Sequence, residues 1–227
     1  MTNFEQTVYH PRSDRVVTTG IDNMPTKVFT DLKDDKKQRI IDAATEEFAD
    51  NGYINASTNS IVSKCGISKG SLFKYFDNKE DLYFFLVETI SSKLGESIAR
   101  DLKDLPEDAF DRIIAYSSLE ISWYIKNPVK GRFMMRMAGE KGEIADKLTA
   151  RYNTQADDTY FKFMEDAGFK RCIHDKDKVM KLLMWVLKGF NQDFLERASK
   201  SRKPMKKLKE EYTQELTEYL SMLSKGL

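Results

Sequence analysis

The stretch STNSIVSKCGISKGSLFKYFDNK, Ser57 to Lys79, decides how this chain is read. Ser57 is a helix-capping residue type, and the segment after it carries Ile61, Val62 and Cys65 on one side. Gly66 permits a left-handed turn without a Cβ clash, and Ser68 offers a second cap. The pattern predicts two short helices joined by a tight turn, the second running from Lys69 to Tyr75, with a new helix starting after it. That is helix-turn-helix spacing. In the second helix Leu72 and Phe73, with Phe76 after it, are expected to face a core. Lys69, Gly70, Ser71, Lys74 and Tyr75 are expected to face an outside partner. Between Asp50 and Asp77 the chain has no carboxylate, only Lys64, Lys69 and Lys74. A polyanion approaching this face meets no repulsion from it, whatever the overall balance of charge.

The flanking segments extend the unit. Ile40, Ile41, Ala44 and Phe48 form one apolar helical stripe that stops at Asn51-Gly52, and Asp77 with Glu80 predicts a capping box for the long helix that follows. Together KKQRIIDAATEEFADNGY (Lys36 to Tyr53), the helix-turn-helix and DNKEDLYFFLV (Asp77 to Val87) resemble the TetR family of one-component bacterial transcription regulators. Two positions depart from the family pattern: Phe73 stands where a tyrosine is usual, removing a hydroxyl that could reach a phosphate, and Cys65 stands where an alanine is usual.

The resemblance implies an all-α fold, with an N-terminal three-helix helix-turn-helix DNA-binding head and a helical-bundle body that binds an effector and dimerises. The expected division is a loose extension over 1–35, the head over 36–82 and the body over 83–227. The implied partners are double-stranded operator DNA, a second copy of the chain and a small effector, with repression of a palindromic operator the usual mode. The candidate DNA-contacting residues are Ser57, Thr58, Lys69, Gly70, Ser71, Lys74, Tyr75 and Lys79. Thr58, Tyr75 and Lys79 are expected to position the backbone, and Lys69, Ser71 or Lys74 to reach base edges.

Composition agrees with this reading. In 227 residues, 32% are charged and 41% hydrophobic, and the net charge is +1. Such a length suits a small head on a larger body, and apolar runs as short as Leu82 to Val87 are too brief for a membrane span. The first residues lack a secretory pattern, so a cytoplasmic location is expected. The two cysteines, Cys65 and Cys172, lie in unrelated contexts and suggest no disulfide framework. Residues 1–35, broken by His10-Pro11, Gly20 and Met24-Pro25, show no apolar periodicity and read as an extension with little structure. A minor-groove arm through Arg12, Arg15 and Lys27 is the competing reading, diluted by Asp14, Asp22 and the acidic residues from Asp31 to Asp35.

The body reads helix after helix. Leu82, Leu86, Ile90, Leu94 and Ile98 recur at helical spacing, Asn127-Pro128 ends the next helix, and a longer one is predicted from Glu143 to about Asp166 with Gly168 as its stop. The last two helices carry broad apolar stripes, and from them Leu183, Leu187, Phe190, Tyr212, Leu216 and Tyr219 are the candidate dimer interface. Trp123, Phe133, Met137, Tyr160, Met164, Met184 and Trp185 are deformable apolar side chains of the kind that line a cavity, and they are the candidate effector pocket. Their chemistry favours a largely apolar effector: an acyl chain, an aromatic compound or a lipophilic drug.

An enzyme finds little support. There are two histidines, and the crowded Cys172, His174 and Asp175 fall short of a metal-ligand set. No phosphate-cradling glycine loop or nucleophile elbow is present, so neither cofactor nor metal is expected. An architectural nucleic-acid binder without an effector, or a helical adaptor, remain as alternatives that DNA-binding specificity separates.

Overall fold

A computed structural model describes residues 25–101, 106–153, 168, 175–199, 201 and 203–226. Two compact units divide the chain, one made of residues 1–99 with 129–140 and the other of 100–128 with 141–227. The first unit thus takes in residues 83–99 and 129–140, which the expected division placed with the body.

The first unit is built around α2 (Asp34–Asn55), whose Ile40, Ile41, Ala44 and Phe48 are buried as the stripe predicts. Gly52 breaks α2 with a φ of 71°, and a Cβ there would stand 3.2 Å from Glu140 Oε1, so both conformation and space call for glycine. Next come α3 (Thr58–Cys65) and α4 (Lys69–Tyr75). The Ser57 hydroxyl accepts the Ser60 N–H at 3.4 Å, and Ser68 accepts the Ser71 N–H at 3.1 Å, so each short helix begins on its serine cap. Gly66 takes the left-handed conformation between them, and Val62 O accepts both the Gly66 and the Ile67 amide.

The long helix α5 (Lys79–Asp101) buries Leu82, Tyr83, Phe84, Leu86, Ile90, Leu94 and Ile98. Its cap is Asn78, one residue later than expected. Asn78 Oδ1 accepts the Asp81 N–H at 2.9 Å, and the Asp81 carboxylate takes a backbone hydrogen bond from Asn78 in return. The unit is completed by α7 (Pro128–Ala138), whose Phe133 ring lies 5.6 Å from that of Tyr83.

One element corrects the reading of the N-terminal residues. Lys27–Thr30 forms a turn of helix, α1, within the segment expected to have little structure. Its Phe29 is buried against the rings of Phe76, Phe85 and Tyr75, with centroids 4.9, 5.3 and 5.9 Å away. Thr26 ties the turn down, its N–H donating to Tyr75 O at 3.1 Å and its hydroxyl to Lys74 O at 2.8 Å.

In the second unit, α6 (Ala109–Lys126) starts on Asp108, whose carboxylate accepts the Phe110 and Asp111 amides. Ser118 on α6 and Thr213 on α10 (Met205–Gly226) share a hydrogen bond of 3.0 Å. The rings of Phe190 and Phe194 on α9 (Lys176–Ser199) pack 5.1 and 5.0 Å from Tyr212. Of the helix expected from Glu143 to about Asp166, α8 spans Glu143–Leu148 and passes into a π-helical turn, Thr149–Asn153, and the remainder lies outside the described residues. Gly168 pairs with backbone beside α6, donating to Glu107 O at 2.8 Å and accepting from the Ala109 N–H at 3.2 Å. Among the described residues no helix is long and apolar enough to cross a membrane, and no group of three or more His, Cys, Asp or Glu side chains gathers to hold a metal.

Candidate nucleic-acid interface

On α4, Lys69, Gly70 and Lys74 are exposed and Ser71 is half-exposed, as expected. The aromatic residues exchange places relative to expectation. Phe73 is 39% exposed, whereas the candidate contact Tyr75 is 5% exposed. The reason is α1: Phe29 covers the side of α4 that carries Tyr75, and Lys36 closes over the same ring at 5.7 Å. Tyr75 is thus a packing residue of the head, and its ring is not offered to a partner.

Lys79 is also occupied. Its ammonium donates to the carbonyls of Tyr53, Ile54 and Ala56 at 2.7, 3.2 and 3.2 Å and lies 4.7 Å from the centre of the Tyr53 ring. These are carbonyls at the C-terminal end of α2, where a cation is favoured by the helix dipole. All three donors of the Lys79 ammonium are engaged within the head, while its place at the start of α5 is as expected. Lys64 is drawn inward too, 3.1 Å from Glu46 and 3.7 Å from Glu47. The positive charge free to face a partner here is that of Lys69 and Lys74. Thr58 is half-exposed, and Ser57, exposed, uses its hydroxyl as the α3 cap.

Sequence reasoning missed Glu47. Its carboxylate is buried and accepts from the Ser60 hydroxyl, from the Ser57 N–H at 3.1 Å and from Asn51 Nδ2 at 3.0 Å. Burial pushes its pKa up, but the Ser60 and Ser57 hydrogen bonds, the Lys64 charge and Asn51 outweigh this and hold it below the usual carboxylate value. Glu47 therefore pins the start of α3 to α2. Its signal in the sequence was a carboxylate one turn before Gly52, on the buried side of the helix. A second set fastens α7 to the end of α2. Arg132 meets the Asp50 carboxylate at 3.1 Å, Arg136 Nη2 donates to Asp50 O at 2.8 Å, and Glu140 Oε1 accepts the Tyr53 N–H at 2.7 Å. Burial raises the Cys65 thiol pKa, which suits a small packing residue better than a reactive thiol.

The pocket and dimer candidates fall differently from expectation. Phe133 is core of the first unit, and Met137 belongs to that unit as well. Trp123 is buried in the second, while Trp185 is 64% exposed and Met184 is exposed beside it. The described pocket candidates are thus divided between the two units, Phe133 and Met137 in the first and Trp123, Met184 and Trp185 in the second. Tyr160, Met164, Cys172 and His174 lie outside the described residues. Of the dimer candidates, Leu183, Leu187, Phe190, Tyr212 and Leu216 are buried within the single chain, filled by the packing of α9 and α10, and only Tyr219 is exposed. The single chain buries most of the stripe, with α6 also packed on α10, and among the described residues of α9 and α10 the large apolar side chains left exposed are Met184, Trp185, Tyr219 and Met222. The body also holds a polar pair, buried Tyr124 and half-buried Glu120: Tyr124 donates to Glu120 Oε1 at 2.7 Å, and desolvation raises the Glu120 pKa against that hydrogen bond.

Two capped short helices meeting at a left-handed glycine, with lysines on the open side of the second, define a helix-turn-helix DNA-binding head. The sequence signature described as "Bacterial regulatory proteins, tetR family" matches residues 40–84. Over that segment the chain resembles the DNA-binding head of tetR-family transcription regulators. Over 74 residues it is 38% identical to the fatty acid metabolism regulator protein of Bacillus subtilis, covering 33% of this chain and 37% of that one. A 27% identity over 137 residues relates it to the HTH-type transcriptional repressor Rv1474c of Mycobacterium tuberculosis, covering 57% of this chain and 71% of the relative. The matches to the first curated relatives span only 24 to 37% of their lengths. Among solved structures, a TetR family transcriptional regulator from Chloroflexus aurantiacus matches with a TM-score of 0.67 at 23% identity, over 90% of this chain and 98% of that one. The fatty acid degradation regulator FadR of Bacillus halodurans matches with a TM-score of 0.58 at 18% identity, over 82% and 96%. These likenesses establish the all-helical fold of head and body.

Proposed function

We propose that the protein is a cytoplasmic, homodimeric transcription repressor that lays α4 in the major groove of a palindromic operator and lets go when a small apolar effector occupies the body. The observation that carries this reading is the open face of α4. Lys69 and Lys74 stand exposed on it, Gly70 adds no bulk, and no carboxylate interrupts the sequence from Asn51 to Phe76. Lys69, Ser71 and Lys74 reach base edges in this reading, while Ser57 and Thr58 lie at the α3 end for backbone contact. Gly70 supports close approach: a Cβ there would meet nothing nearer than Ser68 Oγ at 4.0 Å, so packing within the chain gives no reason for glycine.

The two-headed arrangement needs a second copy, and the surface we assign to it is that of Met184, Trp185, Tyr219 and Met222 on α9 and α10. For the effector we favour an acyl chain. The Bacillus regulator with a similar head is named for fatty acid metabolism, Trp123 supplies apolar surface in the body, and the Glu120–Tyr124 pair supplies a polar anchor. Coupling to the head runs along the chain itself, because α5 leads out of the head and α7, fastened to α2 by Arg132, Arg136 and Glu140, is entered from body residues at one end and returns to them at the other. An effector weakens DNA binding by its differential affinity for the two body states, commonly about 1 to 3 kcal/mol.

Selection of bound sequences from a random duplex pool tests the reading. A recovered palindrome whose complex is released by long-chain acyl compounds, over the concentration range that changes tryptophan fluorescence, supports it. Salt-dependent binding without sequence preference points to an architectural binder instead, and no DNA binding to an adaptor.

A further inference from the structure

Phe73 is the large apolar side chain that the reading helix leaves outside. Around the turn Ile61, Leu72 and Phe76 are essentially fully buried, and Val62 and Ile67 are half-buried. Among the described residues Phe73 has no ring partner, and the packing role that its type suggests is taken by Tyr75, sealed under Phe29. Residues three and four apart share one face of a helix, so Phe73 sits one turn beyond Lys69 and Gly70 and beside Lys74, in the middle of the exposed cationic face. A face that draws a phosphate backbone close thereby carries an aromatic ring at its centre. The ring has no donor, so it cannot hydrogen-bond a phosphate oxygen or a base edge. The major groove offers one apolar group to such a ring, the C5-methyl of thymine.

We infer that Phe73 is a specificity-determining residue whose ring meets a thymine methyl, so that each half-site carries a thymine at one fixed position. This rests on the proposal that α4 enters the major groove. The positive charge around the ring selects DNA over an apolar protein partner, because Lys69 and Lys74 flank Phe73 and no carboxylate lies on α4. Burying one methyl-sized group corresponds to about a fourfold change in affinity per contact, and about fifteenfold where two heads engage one operator.

The test uses the full chain and an operator recovered from the random pool. Each symmetry-related pair of thymines in turn is replaced by deoxyuridine, which removes only the methyl groups, and affinity is read by fluorescence anisotropy. The expected result is one symmetry-related pair of positions where the replacement weakens binding by about fifteenfold. Phe73→Ala should bind thymine and deoxyuridine operators alike, and Phe73→Leu should retain part of the preference. A selected palindrome with no methyl-sensitive position overturns the inference while leaving the DNA-reading proposal standing, as does a preference that survives in Phe73→Ala. A pool that yields no preferred sequence removes both. Because the deoxyuridine scan is made on the unmodified protein, a variant that fails to fold does not affect the decision.

Discussion

At the scale of single residues, Glu47 and Gly70 hold opposite positions in the reading head. Glu47 is 4% exposed, and its hydrogen bonds to Ser57, Ser60 and Asn51 set where α3 begins. Replacing it with alanine removes hydrogen bonds to a charged acceptor, and Glu47→Ala should lower stability by about 2 kcal/mol in urea melts. The pH dependence follows from the lowered pKa. A depressed folded-state value makes this contribution complete above the ordinary carboxylate pKa of 4.5 and removes it progressively as the pH falls through the lower folded value. The wild-type protein should therefore lose this increment below about pH 4.5 and Glu47→Ala should not, which urea midpoints measured from pH 3 to pH 7 will compare. Gly70 contributes nothing to packing. Gly70→Ala should raise stability by about 0.5 kcal/mol through helix propensity while weakening operator binding, because the added methyl stands on the approach face. Tighter DNA binding by this variant would remove Gly70 from the interface.

At the scale of elements, α1 decides which aromatic of α4 faces outward. Phe29 is its buried anchor, and Thr26 adds two hydrogen bonds to the carbonyls of Lys74 and Tyr75. Phe29→Ala should destabilise the head by about 3 kcal/mol, and hydrogen exchange at the Thr26 amide should quicken with it. Operator affinity should fall because the C-terminal end of α4 loses its support. The case also marks where sequence reading runs out. Helices α2 to α5 were legible because their signals are local: serine caps, left-handed glycines and apolar residues at helical spacing. A single turn with one buried apolar side chain has no periodicity to detect, and its partners Tyr75 and Phe76 lie far along the chain, so Phe73 and Tyr75 were assigned to each other's surroundings. The cap of α5 was displaced by one residue because Asp77 and Asn78 are both capping types and only the Asp81 amide distinguishes them. Beyond Glu143, residues spaced for a helix concealed the π-helical turn at Thr149, which no residue type announces.

At the scale of the whole molecule, the apolar stripes of α9 and α10 do not say which part their own chain covers. Leu187 and Leu216 are buried within the protomer, so a charge placed there would unfold the body and report nothing about assembly. The residues that separate folding from dimerisation are Trp185 and Met222, the latter 67% exposed. In a lone chain Trp185→Glu and Met222→Glu put charge into solvent and should change stability by less than about 0.5 kcal/mol. In a dimer they would bury two like charges across the interface, so the double variant should run as a single chain by light scattering at micromolar concentration. Loss of the partner removes the second head from the operator, and the binding free energy of one head is then all that remains. Palindrome affinity should consequently drop to the level of a half-site, with the wild-type fold retained by circular dichroism. A double variant that remains dimeric would place the partner elsewhere, and a wild-type chain that is monomeric both free and on DNA would remove the two-headed reader altogether.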